Sequence, residues 1–349
     1  MTSAQRLPGV DALKALACVL IVWQHLAFYG PMSDVVHGAM PALMNWLYTY
    51  GRMAVQVFLV VAGFLAACSL APQGSAVFRQ PDRLLLRRYR RLALPLAVAV
   101  LVTVAVAALV RPWLHHASVP GAPTFWQLLA NLFLLQDLVG EDALSAGLWY
   151  VAIDFQLFAM SVALLTLLRG ERHRWLALAL AAASLLVFNR HSWLDMTGLY
   201  FFGAYALGMM AWWAARDAQP GRWLLAIVVL GASALLIDFR GRLVVALAVA
   251  LALVWMQRGG WAARWLQAPW IRQLGERSYS IFLIHFPVCL LVNALVIQLW
   301  PGQLAANALG MLSAFGLSLL AGAFLYRTVE SPHAFWRGWR KPALPVVRP

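Results

Sequence analysis

Apolar runs of membrane-crossing length recur along the whole chain. They lie at about residues 12–30, 50–71, 92–110, 147–168, 175–189, 197–215, 223–238, 243–257, 279–300 and 305–327. A helix needs about 20 apolar residues to cross a bilayer core. The shortest of these runs have 15–16 residues and are expected to extend into their loops. Composition excludes the alternatives. The chain is 63% hydrophobic and 11% charged, with a mean hydropathy of +0.74. A soluble domain is about 45–50% apolar and about 25% charged. A soluble globule, a disordered chain and a small disulfide scaffold are therefore ruled out. The expected fold is an all-α polytopic membrane bundle of about ten helices. The short apolar stretch 124–139 is expected to add a re-entrant or interfacial helix, because counting it as a span would reverse every later loop.

The basic residues set the sidedness. The chain carries 27 Lys and Arg against 13 Asp and Glu, a formal charge of +14. In a soluble protein such a balance would point to nucleic acid; here the positive-inside rule accounts for it, and no nucleic-acid partner is expected. With the N-terminus in the cytoplasm, 21 basic residues fall on the cytoplasmic side and only Arg111, Arg190, Arg240 and Arg242 on the other. Both termini are then cytoplasmic, with tails at about 1–11 and 328–349 flanking one membrane domain over 1–349. The first run holds Asp11 and His25 and has no small-x-small cleavage site, so it reads as a retained helix. Cys18, Cys68 and Cys289 lie in apolar runs without metal-ligand spacing, and no metal is expected.

Ionisable groups inside a bilayer are costly and mark candidate sites. Lys14 and His25 are 11 residues apart, which places them on one helix face about 16 Å apart along the axis. The plain structural alternative is a snorkelling Lys14 and a packed His25. Arg52 and Gln56 are spaced i, i+4 and face the same way. Gly63, among small neighbours, suggests a close helix crossing. The stretch RLLLRRYRRLALP reads as a loop before a third helix that starts near Pro95. Its Arg87, Arg88, Arg90 and Arg91 fit a topology signal, lipid headgroups or a clamp for a phosphorylated cosubstrate. Asp154 is expected at the depth of His25, where it could orient the imidazole, or pair with Arg52. His285 lies in the ninth run, two residues before Pro287, which is expected to loosen the helix.

Taken together, these motifs resemble the membrane acyltransferase-3 family. Lys14-x10-His25 resembles its Arg/Lys-x10-His signature. VQVFLVVAGFL resembles Phe-Phe-Val-Leu-Ser-Gly-Phe-Leu, and RLLLRRYRRLALP the family's Arg-rich loop. LWYVAIDFQLF resembles Leu-Trp-Ser-Leu-x-Val-Glu-Glu-Gln-Phe. SYSIFLIHFPV resembles Ser-Tyr-x-x-Tyr-Leu-x-His-x-Pro, and VESPHAFW the closing Glu-x-Pro. The six elements run in order from end to end. The resemblance implies a bacterial inner-membrane O-acyltransferase that uses acyl-CoA, by default acetyl-CoA. The acceptor it implies is a hydroxyl of a cell-surface glycan or lipid-linked sugar, in company with proteins of a surface-polysaccharide pathway. It implies a catalytic His25, a basic partner at Lys14 and CoA-phosphate contacts from Arg87, Arg88 and Arg91. Arg52, Gln56, Tyr279, His285 and Glu330 fall at other motif positions, without assigned steps. Departures are Gln56 for an acidic residue, Ala62 for Ser, and Asp154-Phe155 for Glu-Glu. From another class, a proton-coupled transporter or flippase uses the same residue types; against it, the sequence shows no repeated halves. An inactive scaffold is a third reading.

Overall fold

A computed structural model describes residues 7–167, 172–259 and 266–331, and among them every regular element is helical. The helices are α1 (Pro8–Phe28), α2 (Pro31–Ala39), α3 (Pro41–Trp46), α4 (Ala54–Leu70), α5 (Pro81–Val110), α6 (Phe125–Leu132) and α7 (Gln136–Val139). There follow α8 (Leu148–Leu167), α9 (Arg172–Leu186), α10 (Gly198–Arg216), α11 (Gly221–Ile237), α12 (Gly241–Gly259), α13 (Pro269–Leu299) and α14 (Leu304–Leu325). The basic residues expected in the tails at 1–6 and 332–349, and in 168–171 and 260–265, lie outside the described residues.

Among the described residues, seven segments are long and apolar enough to cross a membrane: Pro8–Phe28, Pro41–Leu70, Pro81–Val110, Leu148–Leu167, Gly241–Gly259, Pro269–Leu299 and Leu304–Glu330. The other three expected spans are helices α9, α10 and α11, but they are not among the seven. α9 and α11 are short, at 15 and 17 residues. α10 has 19 residues and is buried nearly all round, against α4, α8, α9, α11 and α12. A helix enclosed by protein need not be apolar enough for lipid. At its crossing with α4, a Cβ on Gly63 would collide with the Tyr205 backbone, and one on Gly208 with the Val60 backbone. Only glycines let the two backbones approach this closely, as the small-residue pattern suggests. The indoles of Trp212 and Trp213 then donate to the carbonyls of Pro72 and Ala71, at 3.1 and 2.8 Å, at the end of α4.

Two boundaries differ from the sequence reading. The arginine-rich stretch is not a loop. It forms the first turns of the 30-residue α5, which runs on through Pro95. Likewise α13 starts at Pro269 and continues unbroken through Pro287 for 31 residues. In both, proline occupies the first turn, where its missing N–H costs nothing; Asp82 also complements the α5 dipole. The stretch 124–139 does not span. It is split into α6 and α7 around Leu134, whose φ is 61°.

Candidate active site

α13 packs along both α1 and α14, and α5 packs against α8 and α13. This arrangement brings residues far apart in sequence around two cavities. The smaller, about 420 Å³, is lined by Lys14, Arg88, Arg91, Asp154, Tyr279 and Glu330, among others. The larger, about 810 Å³, is lined by His25, Gln24, Arg52, Gln56, Arg240 and Arg242, among others. Lys14 and His25 thus serve successive cavities along one side of α1.

His25 is buried, at 8% exposure, and its partner is His285, which is 260 residues away and 1% exposed. His25 Nδ1 lies 2.6 Å from His285 Nε2, and the two rings are nearly parallel, 10° apart. His285 Nδ1 lies 2.7 Å from the carbonyl oxygen of Phe282. A carbonyl only accepts, so in neutral His285 Nδ1 carries the hydrogen and Nε2 a lone pair. That lone pair accepts from His25 Nδ1–H, and His25 Nε2 is left with its own lone pair. Among the described residues Nε2 has no hydrogen-bond partner. The chain Phe282 O, His285, His25 therefore selects the tautomer in which His25 can take a proton.

Asp154 does not orient His25, nor does it pair with Arg52. Arg88 Nη2 donates to Asp154 Oδ2 at 2.5 Å, and the guanidinium also lies over the Phe158 ring, 5.2 Å from its centroid. The reason is the early start of α5, which carries Arg88 into the wall beside α8. Arg91 lines the same cavity, while Arg87, one position before Arg88, is exposed and does not. Glu330 Oε2 accepts from Ser280 Oγ at 2.6 Å, and the Tyr279 hydroxyl donates to the Leu92 carbonyl at 2.8 Å. The smaller cavity is thus lined by three cations, Lys14, Arg88 and Arg91, and three carboxylates, Asp154, Glu276 and Glu330.

In the larger cavity Gln56 is buried and Arg52 exposed. Arg240 Nη1 donates to the Asn189 carbonyl and to Asn189 Oδ1, at 2.8 and 2.6 Å, and Arg242 Nη2 donates to the same carbonyl at 2.7 Å. Burial, then Arg242, pulls Arg240 below the usual guanidinium value. Burial pushes the Asp137 carboxyl, on the same lining, above its usual range. Sequence reasoning missed the part of Phe282 and Tyr150, which line both cavities. It also missed the pairing of the two histidines; spacing along the chain carries no signal for either.

A bundle of membrane-length helices with a buried, tautomer-fixed histidine and an adjoining cavity lined by cations and carboxylates defines a polytopic membrane protein. The profile of the acyltransferase domain of acyltransferase-3 proteins matches residues 7–327, and the chain belongs to that family. A protein of Caenorhabditis elegans named as a regulator of hypoxia-inducible factor 1 is 25% identical over 191 residues. That match covers 50% of this chain and 38% of the relative's own length. No solved structure matches the chain.

Proposed function

We propose that the chain is an O-acyltransferase of the bacterial inner membrane, with both termini cytoplasmic. In this reading it moves an acyl group, acetyl first, from acyl-CoA to a hydroxyl of a cell-surface glycan or lipid-linked sugar. The observation that carries the reading is the histidine relay, which leaves His25 Nε2 unprotonated in the larger cavity. The smaller cavity suits the donor. Lys14 and Arg91 are cations for its phosphates, and about 420 Å³ accommodates a pantetheine arm but leaves the nucleotide at the mouth. The larger cavity then takes the acceptor, with Arg52 and Gln56 as polar contacts. Membrane lipid surrounds the bundle, and the acceptor is supplied by proteins of a surface-polysaccharide pathway.

In the reaction, the acceptor O–H gives its proton to His25 Nε2 as the oxygen bonds to the thioester carbonyl carbon. The carbon–sulfur bond breaks, an ester forms, and the CoA thiolate regains a proton from the imidazolium. His285 stabilises the transient positive charge on His25 by accepting from Nδ1–H.

The test is acetyl-CoA turnover by the purified protein in nanodiscs, wild type beside His25→Ala. The expected loss is about 10²–10⁴-fold, the usual weight of a general base. Equal turnover in both proteins removes His25 from the chemistry. If the wild type neither binds nor consumes acyl-CoA, with or without a glycan acceptor, the transporter or flippase reading takes its place.

A further inference from the structure

In the proposed orientation only Arg111, Arg190, Arg240 and Arg242 lie on the non-cytoplasmic side, where basic residues are disfavoured. Three of the four gather at the larger cavity. Arg190 Nε and Arg240 Nε lie 3.9 and 3.2 Å from Asp238 Oδ2, and Arg240 and Arg242 line the cavity together with His25. Arg52, just before α4, joins the same lining.

The two lining arginines of this group are held side by side. Asn189, in the turn after α9, is 5% exposed, and its one carbonyl oxygen accepts from both Arg240 Nη1 and Arg242 Nη2, at 2.8 and 2.7 Å. The Arg242 guanidinium also lies over the Tyr200 ring, 4.9 Å from its centroid. Two like charges on one acceptor repel, and an anion bound beside them relieves the repulsion. Asp238 neutralises part of the Arg240 charge. Among the described residues neither Arg242 nor Arg52 has a carboxylate within ion-pair distance. Two carboxylates share the lining. Asp195 is exposed, and Asp137 accepts from Gln136 Nε2 at 2.7 Å and is pushed above its usual range by burial. Three guanidiniums against two carboxylates leave the lining positive. Trp149 and Tyr200 add ring faces to it, and about 810 Å³ is room for a small sugar. With a cytoplasmic donor, the CoA phosphates stay on the opposite side of the bundle, so an anion at these arginines belongs to the acceptor.

We propose that the acceptor is an acidic sugar, whose carboxylate or phosphate binds Arg242 and Arg52 and so places its hydroxyl at His25. This rests on the acyltransferase reading above and names the charge class of the acceptor within it. The anion is only held; the bonds made and broken are those already given. A forked guanidinium suits either oxyanion, because both present paired oxygens to its N–H groups.

The experiment measures sugar binding to the full chain in zwitterionic nanodiscs by saturation-transfer NMR, with acetyl-CoA turnover followed in parallel. The probes are methyl glucuronide, methyl glucoside 6-phosphate and neutral methyl glucoside. The wild type is expected to bind at least one acidic probe roughly tenfold more tightly than the neutral one, the worth of one charge-assisted hydrogen bond. Preference for the carboxylate points to an acidic ring, and preference for the phosphate to a phosphorylated or lipid-phosphate-linked sugar; both support the proposal. Arg242→Gln and Arg52→Gln should each bring the ratio close to one, while Arg242→Lys keeps the charge and should retain most of it. If Arg242→Gln does not fold, the exposed Arg52 carries the test. Equal binding of acidic and neutral probes, no binding of any of them, or an unchanged ratio in the Gln variants overturns the proposal. So does displacement of the acidic probe by adenosine 3′,5′-bisphosphate, which gives the arginines to the donor. Each of these results with acetyl-CoA still consumed spares the acyltransferase reading. Selective binding of an acidic probe with no acetyl-CoA consumed overturns that reading instead and leaves the anion site standing.

Discussion

The two cavities hold their polar groups by opposite means. Around the smaller one, full charges from α1, α5, α8, α13 and the turn after α14 balance one another, and Arg88 closes directly on Asp154. Beside the larger one, His25 is held by a relay of neutral groups that ends on a backbone carbonyl. An ion pair fixes geometry but uses up the charges that form it, and it breaks badly when one partner is lost. A neutral relay fixes geometry just as firmly and leaves one lone pair free. In the proposed reading the difference separates two duties, holding the donor and taking a proton, on the two sides of Tyr150 and Phe282.

The largest effect that tests this contrast comes from the relay. His285→Leu removes the acceptor of His25 Nδ1–H and frees the ring to change tautomer. Turnover number should fall roughly 100-fold, within the range of general-base effects, with KM for the donor little changed. His285→Gln offers a carbonyl oxygen at a similar reach and should recover part of the loss. Steady-state kinetics of the two variants decide the matter. If Gln is no better than Leu while both proteins melt with the wild type, His285 does not orient His25.

The sequence shows the contrast only in part. Membrane insertion is legible in the apolar runs, the close crossing of α4 and α10 in Gly63, and the shared side of α1 in the 11-residue step from Lys14 to His25. The partners of the polar groups are not. His25 and His285 are 260 residues apart, and Arg88 and Asp154 are 66 apart. Pairing Asp154 with His25 assumes that α5 begins near Pro95. The sequence contains a better signal in Pro81-Asp82, a helix start that carries Arg88 into the bundle wall. α10 is not among the seven apolar segments for a related reason, since hydropathy measures contact with lipid and α10 contacts protein.

A smaller effect tests the charged side. Asp154→Asn leaves the Arg88 guanidinium facing a neutral amide. Losing one partner of a fully buried pair costs about 3–5 kcal/mol. Arg88 retains 27% side-chain exposure against 8% for Asp154, so water recovers part of that cost and roughly 2 kcal/mol is expected. Thermal unfolding in detergent measures the loss. Adding Arg88→Gln to Asp154→Asn removes the orphaned charge and should restore much of it. The opposite pattern, unchanged stability with a fall in turnover number, would return Asp154 to the role of orienting His25.

The smallest effect comes from the same chemistry placed in water. After α10, Asp217 accepts from the backbone N–H of Gln219 at 3.0 Å, from Arg222 Nη2 at 2.6 Å and from the Trp223 indole at 3.1 Å. These donors, the Gln219 N–H first, hold its carboxyl below the usual range. The unfolded chain therefore takes up a proton before the folded one does. The stabilisation is present in full above the ordinary carboxylate pKa of about 4 and fades as pH falls through the lowered value. Asp217→Asn should melt slightly below the wild type at pH 7, and the gap should close on acidification. It should also shrink in high salt, because solvent ions reach Asp217. The Asp154→Asn gap should persist in the same salt. If salt erases both gaps alike, Arg88 and Asp154 are as open to solvent as a surface pair, and the contrast between the two cavities loses its charged half.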